Sequence, residues 1–147
     1  MAISLDNNVR IASKDEVFFR EGETPRKIIL VKSGEILCIK RNKERLIPVF
    51  AAGPQQIVGE DAVMSRSPYN YSAIAREGSE VVEIDANLIH SVMDEAPYWL
   101  NALMATLGER LHGTSNAIAE HRIIAGQLAG SLEFTPQEET RLKKLLT

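Results

Sequence analysis

Gly59-Glu60-Asp61-Ala62-Val63-Met64-Ser65-Arg66-Ser67-Pro68-Tyr69-Asn70-Tyr71-Ser72-Ala73 is the stretch on which the reading of this chain turns. A Gly-Glu pair opens a short turn, and a loop led by Pro68 then re-enters a β-type run at Tyr71-Ser72-Ala73. Segments on both sides share this style. Val17-Phe18-Phe19 leads into the turn Glu21-Gly22-Glu23-Thr24-Pro25, and Lys27 to Val31 reads as a strand. After the tight turn Lys32-Ser33-Gly34-Glu35 comes a strand from Ile36 to Ile39. The charged run Lys40-Arg41-Asn42-Lys43-Glu44-Arg45 caps a hairpin whose return is Leu46 to Phe50. That run reads as a solvated hairpin tip in preference to a phosphate patch. Ala51-Ala52-Gly53-Pro54 turns the chain into Ile57-Val58-Gly59, and Arg76-Glu77-Gly78-Ser79 separates Tyr71 to Ala75 from Val81 to Ile84. Short strands at this spacing indicate an all-β sandwich or barrel.

Beyond Ile84 the periodicity becomes helical. Asp85 can cap a short helix that carries Leu88, Ile89, Val92 and Met93 on one face and stops before Pro97. From Tyr98 a second pattern runs to about Leu128 or Leu132. Leu100, Met104, Leu107, Leu111, Thr114, Ile118, His121, Ala125, Leu128 and Leu132 alternate spacings of four and three, the seam of helix-on-helix packing. Gly108, Gly113, Gly126 and Gly130 each weaken a helix by roughly 1 kcal/mol relative to Ala. A break near Gly113-Thr114-Ser115-Asn116, with Ser115 recapping, stands beside a single continuous rod. Thr135-Pro136-Gln137-Glu138 has the form of a capping box with Pro at the first helical position, opening a short helix to about Leu146.

Composition narrows the function classes. The 147 residues are 44% apolar and 25% charged, which fits one globular domain with a sizeable core. A net charge of -3 gives no broad nucleic-acid footprint. No apolar run approaches the roughly 20 residues of a membrane helix, and Met1 to Asn8 lacks the regions of a signal peptide. Cytoplasmic location is the expectation. The single cysteine, Cys38, excludes an internal disulfide and any cysteine-cluster metal site; mid-strand, it reads as a small core residue. His90, His112 and His121 all fall in helical patterns, so a metal set inside the β unit is not expected. No nucleophile–base pair is visible, and no catalytic residue is assigned.

Three stretches together carry a family resemblance. Glu16-Val17-Phe18-Phe19-Arg20-Glu21-Gly22-Glu23 looks like an early strand with a Glu-Gly turn. Ile28-Ile29-Leu30-Val31-Lys32-Ser33-Gly34-Glu35-Ile36 resembles a strand, Ser-Gly turn and strand. Val58-Gly59-Glu60-Asp61-Ala62-Val63-Met64 is similar to the opening of a phosphate-binding cassette. The chain from about residue 13 to residue 112 resembles the cyclic nucleotide-binding domain family, which includes the catabolite activator protein and the regulatory subunits of cyclic-AMP-dependent kinase. The resemblance implies an eight-stranded jelly-roll followed by a long dimerisation helix. That helix would continue through 113–134, with 135–147 as a short terminal helix or tail.

The resemblance also implies roles. A cyclic nucleotide brings a phosphate charge, a ribose hydroxyl and a flat base into a partly dry pocket, where charge is costly unless paired. Cassettes of this type supply amides at a short helix start and an arginine able to bond bidentately. Gly59 would allow close backbone approach, Glu60 would accept from the ribose hydroxyl, and the amides of Asp61 and Ala62 would face the phosphate. The arginine is missing. Its position falls on Tyr69 in one alignment and on Tyr71 in another. Tyr69, Asn70, Tyr71 and Ser72 offer only neutral groups in this stretch. Losing a charge-assisted bond to a desolvated phosphate costs on the order of 2–5 kcal/mol, a roughly 30- to 5,000-fold loss of affinity. Asp61 adds a disfavouring carboxylate, and Arg66 reads as a solvent-facing loop residue. Gly59-Glu60 is either ligand machinery or a turn kept for the barrel. Tyr69 and Tyr71 either stack on a base or pack their rings on the barrel and leave their hydroxyls wet.

The resulting expectation is a non-catalytic regulatory signalling module whose ligand binding is weakened or altered. Its ligand, if any, would be cyclic AMP, cyclic GMP or a relative. The alternative is a ligand-free dimeric scaffold. A homodimer is expected through Leu100, Met104, Leu107, Leu111, Ile118 and His121, together with a protein partner that the sequence does not name. Residues 130–147 hold one short helix and no recognition helix, so DNA is not an expected partner, nor is a membrane.

Overall fold

The computed structural model describes residues 8–129 and 134–147, with the backbone alone over 115–129. The chain runs β1 (Val9–Ala12), β2 (Val17–Phe19), β3 (Lys27–Ser33), β4 (Ile36–Asn42), β5 (Arg45–Ala52), β6 (Ile57–Val58), α1 (Glu60–Ser65), β7 (Ser72–Ala75), β8 (Ser79–Asp85), α2 (Ala86–Glu95), α3 (Tyr98–Ala129) and α4 (Pro136–Leu146). The strands form two antiparallel sheets, ordered β1-β8-β3-β6 and β2-β7-β4-β5, which is the mainly β jelly-roll arrangement with C-terminal helices. Both sheets send residues into one core: Ile29, Val31, Val58 and Val81 from the first meet Ile36, Cys38, Ala73 and Ala75 from the second. β1 lies ahead of the runs read as strands from the sequence. Two of its four residues are exposed, and its pairing with β8 fixes it.

Several strands read as near-continuous apolar runs where period-two alternation is the usual mark of a half-exposed sheet. The outer faces of the sandwich explain this, because helices cover parts of them. Ile28 of β3 is buried against Val63 of α1 and Ala86 of α2. Ile39, Leu46 and Ile74 of the second sheet are buried under Leu142 of α4, with Phe134, Leu145 and Leu146 around them. Each such aliphatic side chain contributes roughly 1.5–3 kcal/mol when fully buried.

Caps follow the sequence closely. The Asp85 carboxylate accepts from the Asn87 amide at 2.7 Å and starts α2. Thr135 accepts from Glu138 N at 3.2 Å, with Pro136 at the first helical position. α2 buries Ala86 and Met93 and leaves Leu88 and Val92 exposed, so only part of its apolar face meets the barrel.

α3 is one helix through Gly113. The break at residues 113–116 does not form, and Thr114 turns its hydroxyl back onto Arg110 O at 2.8 Å. Gly108 has a packing role. A Cβ there would sit 2.7 Å from Met64 Cβ and 3.0 Å from Ser65 N, so glycine lets α3 press on α1. Along the expected seam Leu100 and Met104 are partly buried, while Leu107 and Leu111 are exposed. Ile118 and His121 lie outside the residues whose side chains are described.

Candidate functional site

Gly59 caps α1 with φ 86°, a left-handed conformation that glycine adopts without penalty. The space around it is also closed. An added Cβ would lie 3.2 Å from both Lys27 O and Tyr69 Cε1. Gly59 is therefore demanded by the turn and by an aromatic ring packed against it.

That ring belongs to a buried aromatic cluster. Tyr69 stacks on Phe19 with centroids 3.7 Å apart, and Tyr71 meets Phe50 edge-on at 5.2 Å. The two tyrosines are 3% and 1% exposed. Their hydroxyls are not wet, and neither ring is presented for a base to stack on. Tyr69 Oη accepts from Arg26 N at 3.2 Å and Lys27 N at 3.1 Å, and donates to Lys27 O at 2.6 Å. Tyr71 Oη accepts from Gly59 N at 2.8 Å. A buried phenol needs partners, and here backbone groups provide them. Burial pushes both phenols above their ordinary range, so both stay neutral. The two positions at which an arginine was sought thus hold aromatic side chains sealed into the core.

The acids beside Gly59 are arranged differently from one another. Burial, opposed by a bond to its own amide and reinforced by Asp61, pushes the Glu60 carboxyl up to about 7. Its Oε2 is buried without a hydrogen-bond partner among the described residues. Asp61 is 2% exposed; its Oδ2 lies 3.2 Å from His112 Nδ1 of α3, and its Oδ1 has no partner among the described residues. Asn70 converges on the same helix, with Nδ2 donating to His112 O at 3.0 Å and no described group donating to its Oδ1. Carboxyl and amide side chains of the cassette therefore stitch it to α3, while three oxygens have no donor among the described residues.

The remaining candidates lie elsewhere. Ser72 accepts from Glu21 N at 2.9 Å and lines a groove of about 740 Å³ together with Arg20, Arg41 and Leu146. Ala62 is a core residue. Arg66 is on the surface, paired with Asp94 at 3.0 Å, as a solvent-facing loop residue should be. Cys38 is fully buried. Glu60 alone of the cassette opens to a hollow of about 470 Å³, shared with Phe50, Ala51, Ala52, Gln55, Gln56 and Ile57.

His112, Phe19 and Phe50 belong to the site and are absent from the sequence-based candidates. His112 is 51 residues from its partner Asp61 in the chain, and only the packing of α3 on α1 joins them. The charged hairpin also departs from expectation at its base. Lys40 Nζ bonds Glu21 Oε1 at 3.1 Å and Asn70 O at 2.9 Å, so it ties the cassette loop to the barrel. Among the described residues no three His, Cys, Asp or Glu side chains are grouped to hold a metal ion. Among the same residues no helix is long and apolar enough to cross a membrane.

Comparison with known proteins agrees with this architecture. The chain resembles the cyclic AMP-bound form of the EAL enzyme Bd1971, with a TM-score of 0.67 and 21% identity over 82% of this chain and 32% of that one. A cyclic-di-GMP responsive global regulator, CLP of Xanthomonas campestris, superposes with a TM-score of 0.60 and 15% identity over 82% of this chain and 59% of that one. A cyclic nucleotide binding protein from Ruegeria pomeroyi gives 0.60 and 20%, over 84% and 52%. The chain thus spans about a third of Bd1971 and little more than half of the other two. At these identities the likeness concerns the fold. No curated protein matches the chain. The cyclic nucleotide-binding domain profile matches residues 9–96, from β1 through α2. The chain belongs to the cyclic nucleotide-binding domain family.

Proposed function

We propose that this domain is a non-catalytic regulatory module in which the cassette has lost most of its affinity for a cyclic phosphate. The observation that carries this reading is the Tyr71 hydroxyl on the Gly59 amide at 2.8 Å, in a cassette where Tyr69 and Tyr71 fill the arginine positions. An anion entering here would find one amide already engaged and two carboxyls close by. Among the described residues no guanidinium is bonded to any of these groups. Charge-assisted bonds are roughly twice as strong as neutral ones, so an uncompensated phosphate would be poorly held.

Contacts that an incoming ligand would otherwise organise are made here by the protein. His112 meets both Asp61 and Asn70, and Gly108 lets α3 lie against α1. These contacts hold α3 at the cassette. Trp99, Leu103 and Leu107 stand exposed along the same helix. These exposed apolar side chains support the proposal that α3 pairs with a second copy, which would make the module a dimeric scaffold.

Calorimetric titration with cyclic AMP and cyclic GMP tests the ligand claim. The expected outcome is no binding tighter than about 0.1 mM. Submicromolar binding of either nucleotide would overturn the reading. Sedimentation tests the dimer: a charge placed at Leu107 should convert it to monomer, and a wild-type monomer at micromolar concentration would remove it.

A further inference from the structure

We propose that the hollow beside the cassette takes the guanidinium or ammonium head of a small organic cation, held between the Glu60 carboxylate and the Phe50 ring. This deepens the preceding reading and rests on it, since it concerns the same cassette with its preference for charge reversed.

The hollow has a volume of about 470 Å³, enough for a small organic molecule. Phe50, whose ring meets Tyr71 edge-on, lines it together with Ala51, Ala52, Ile57, Gln55 and Gln56. Among the described residues that line it, Glu60 is the one that carries charge. An aromatic face and a carboxylate bordering one small space attract a cation from two directions.

The second observation concerns Glu60 and its neighbours in the cassette. Asp61 and Asn70, 2% and 7% exposed, hold oxygens that no described group donates to, and Glu60 Oε2 is in the same condition. Buried acceptors without donors are costly, and a carboxylate more so than an amide. The groups around Glu60 deepen the demand for positive charge. Asp61 is its neighbour on α1, the Cys38 thiol and the Tyr71 phenol are neutral, and His112 of α3 is already engaged by Asp61. A cyclic phosphate would add a third anionic group to this surrounding. A cation in the hollow would offset the field of the pair.

Binding must then be linked to protons. Glu60 titrates near 7, so a cation that requires its carboxylate displaces a proton on binding. The affinity should therefore be about tenfold weaker at pH 6 than at pH 8.

The test uses the full chain and agmatine, which carries both a guanidinium and an ammonium group, with cyclic AMP titrated in parallel. The expected result is saturable agmatine binding that weakens about tenfold from pH 8 to pH 6 and drops at least tenfold in Glu60→Gln. Phe50→Leu keeps the carboxylate and should weaken binding about two- to fivefold, which covers the case in which Glu60→Gln does not fold. The proposal is overturned if folded wild-type protein gives no heat with agmatine at about 10 mM. It is equally overturned if affinity is the same in Glu60→Gln, or does not change with pH. Tight cyclic AMP binding would instead overturn the preceding functional reading. Silence toward both ligands would remove the cation site and leave that reading intact.

Discussion

Replacing Tyr71 by Phe isolates the bond by which the core occupies its own cassette. The substitution removes one oxygen and keeps the ring, so packing against Phe50 and Phe19 is retained. What is lost is the acceptor for Gly59 N, a donor on a buried residue. Leaving such an amide unpaired costs about 1–3 kcal/mol. Urea unfolding should show this as a lower midpoint with an unchanged slope. With a slope of about 2 kcal/mol/M, typical of a small domain, the midpoint falls by roughly 0.5–1.5 M. Tyr98→Phe is the control. Tyr98 is 89% exposed, and its change should stay within about 0.5 kcal/mol. Equal midpoints for Tyr71→Phe and wild type would refute the claim that the Tyr71 hydroxyl holds the Gly59 amide in a dry site.

Three further outcomes follow from the packing around the cassette. The Glu60 carboxyl is raised from 4.5 to about 7 in the folded state, so the fold favours its protonated form. Its contribution to stability is greatest below pH 4.5 and is lost as pH rises to about 7. Thermal melts should therefore show Glu60→Gln overtaking wild type across that window, by at most about 3 kcal/mol at pH 8. Gly108→Ala gains roughly 1 kcal/mol of helix propensity, yet its Cβ would press on Met64 Cβ at 2.7 Å. Overpacking typically costs about 1–3 kcal/mol, so a net loss of melting temperature is expected, and a rise would show that α3 does not bear on α1. At α4, burial raises the Glu139 carboxyl, but the Leu46 amide, Arg45 and Lys143 outweigh it and hold it below the usual carboxylate range. Glu139→Ala leaves Leu46 N without that acceptor at 2.9 Å. Hydrogen exchange should then show α4 losing protection, equivalent to about 1–3 kcal/mol, while the β3 and β8 amides stay protected.

The strands from β2 to β8 were legible because short apolar runs bounded by Gly, Pro and Ser carry their own punctuation. β1 lay outside those runs: its four residues make a short stretch with Val9 and Ile11 exposed, and pairing with β8 holds it in the first sheet. The caps at Asp85 and Thr135 were legible for a similar reason: each is a contact between residues two or three apart. Continuity of α3 was not decided locally. Glycines that weaken a helix in isolation are tolerated where one of them, Gly108, lets two helices touch.

For the cassette itself, the sequence alone determined the position of the turn and that residues 69–72 carry no cation. Both are properties of residue type and order. It could not determine where two tyrosines would point. That was decided by the sandwich, which offers Tyr69 a stacking partner in Phe19 and offers Tyr71 the Gly59 amide. The meeting of Asp61 and Asn70 with His112 was likewise a tertiary outcome, because side chains so distant in the chain gain a common neighbour only when α3 packs on α1. Local rules fix turns and caps through short loops of chain. Which polar groups share a dry interior is fixed by packing, because each buried donor or acceptor takes the partners that the fold brings within reach.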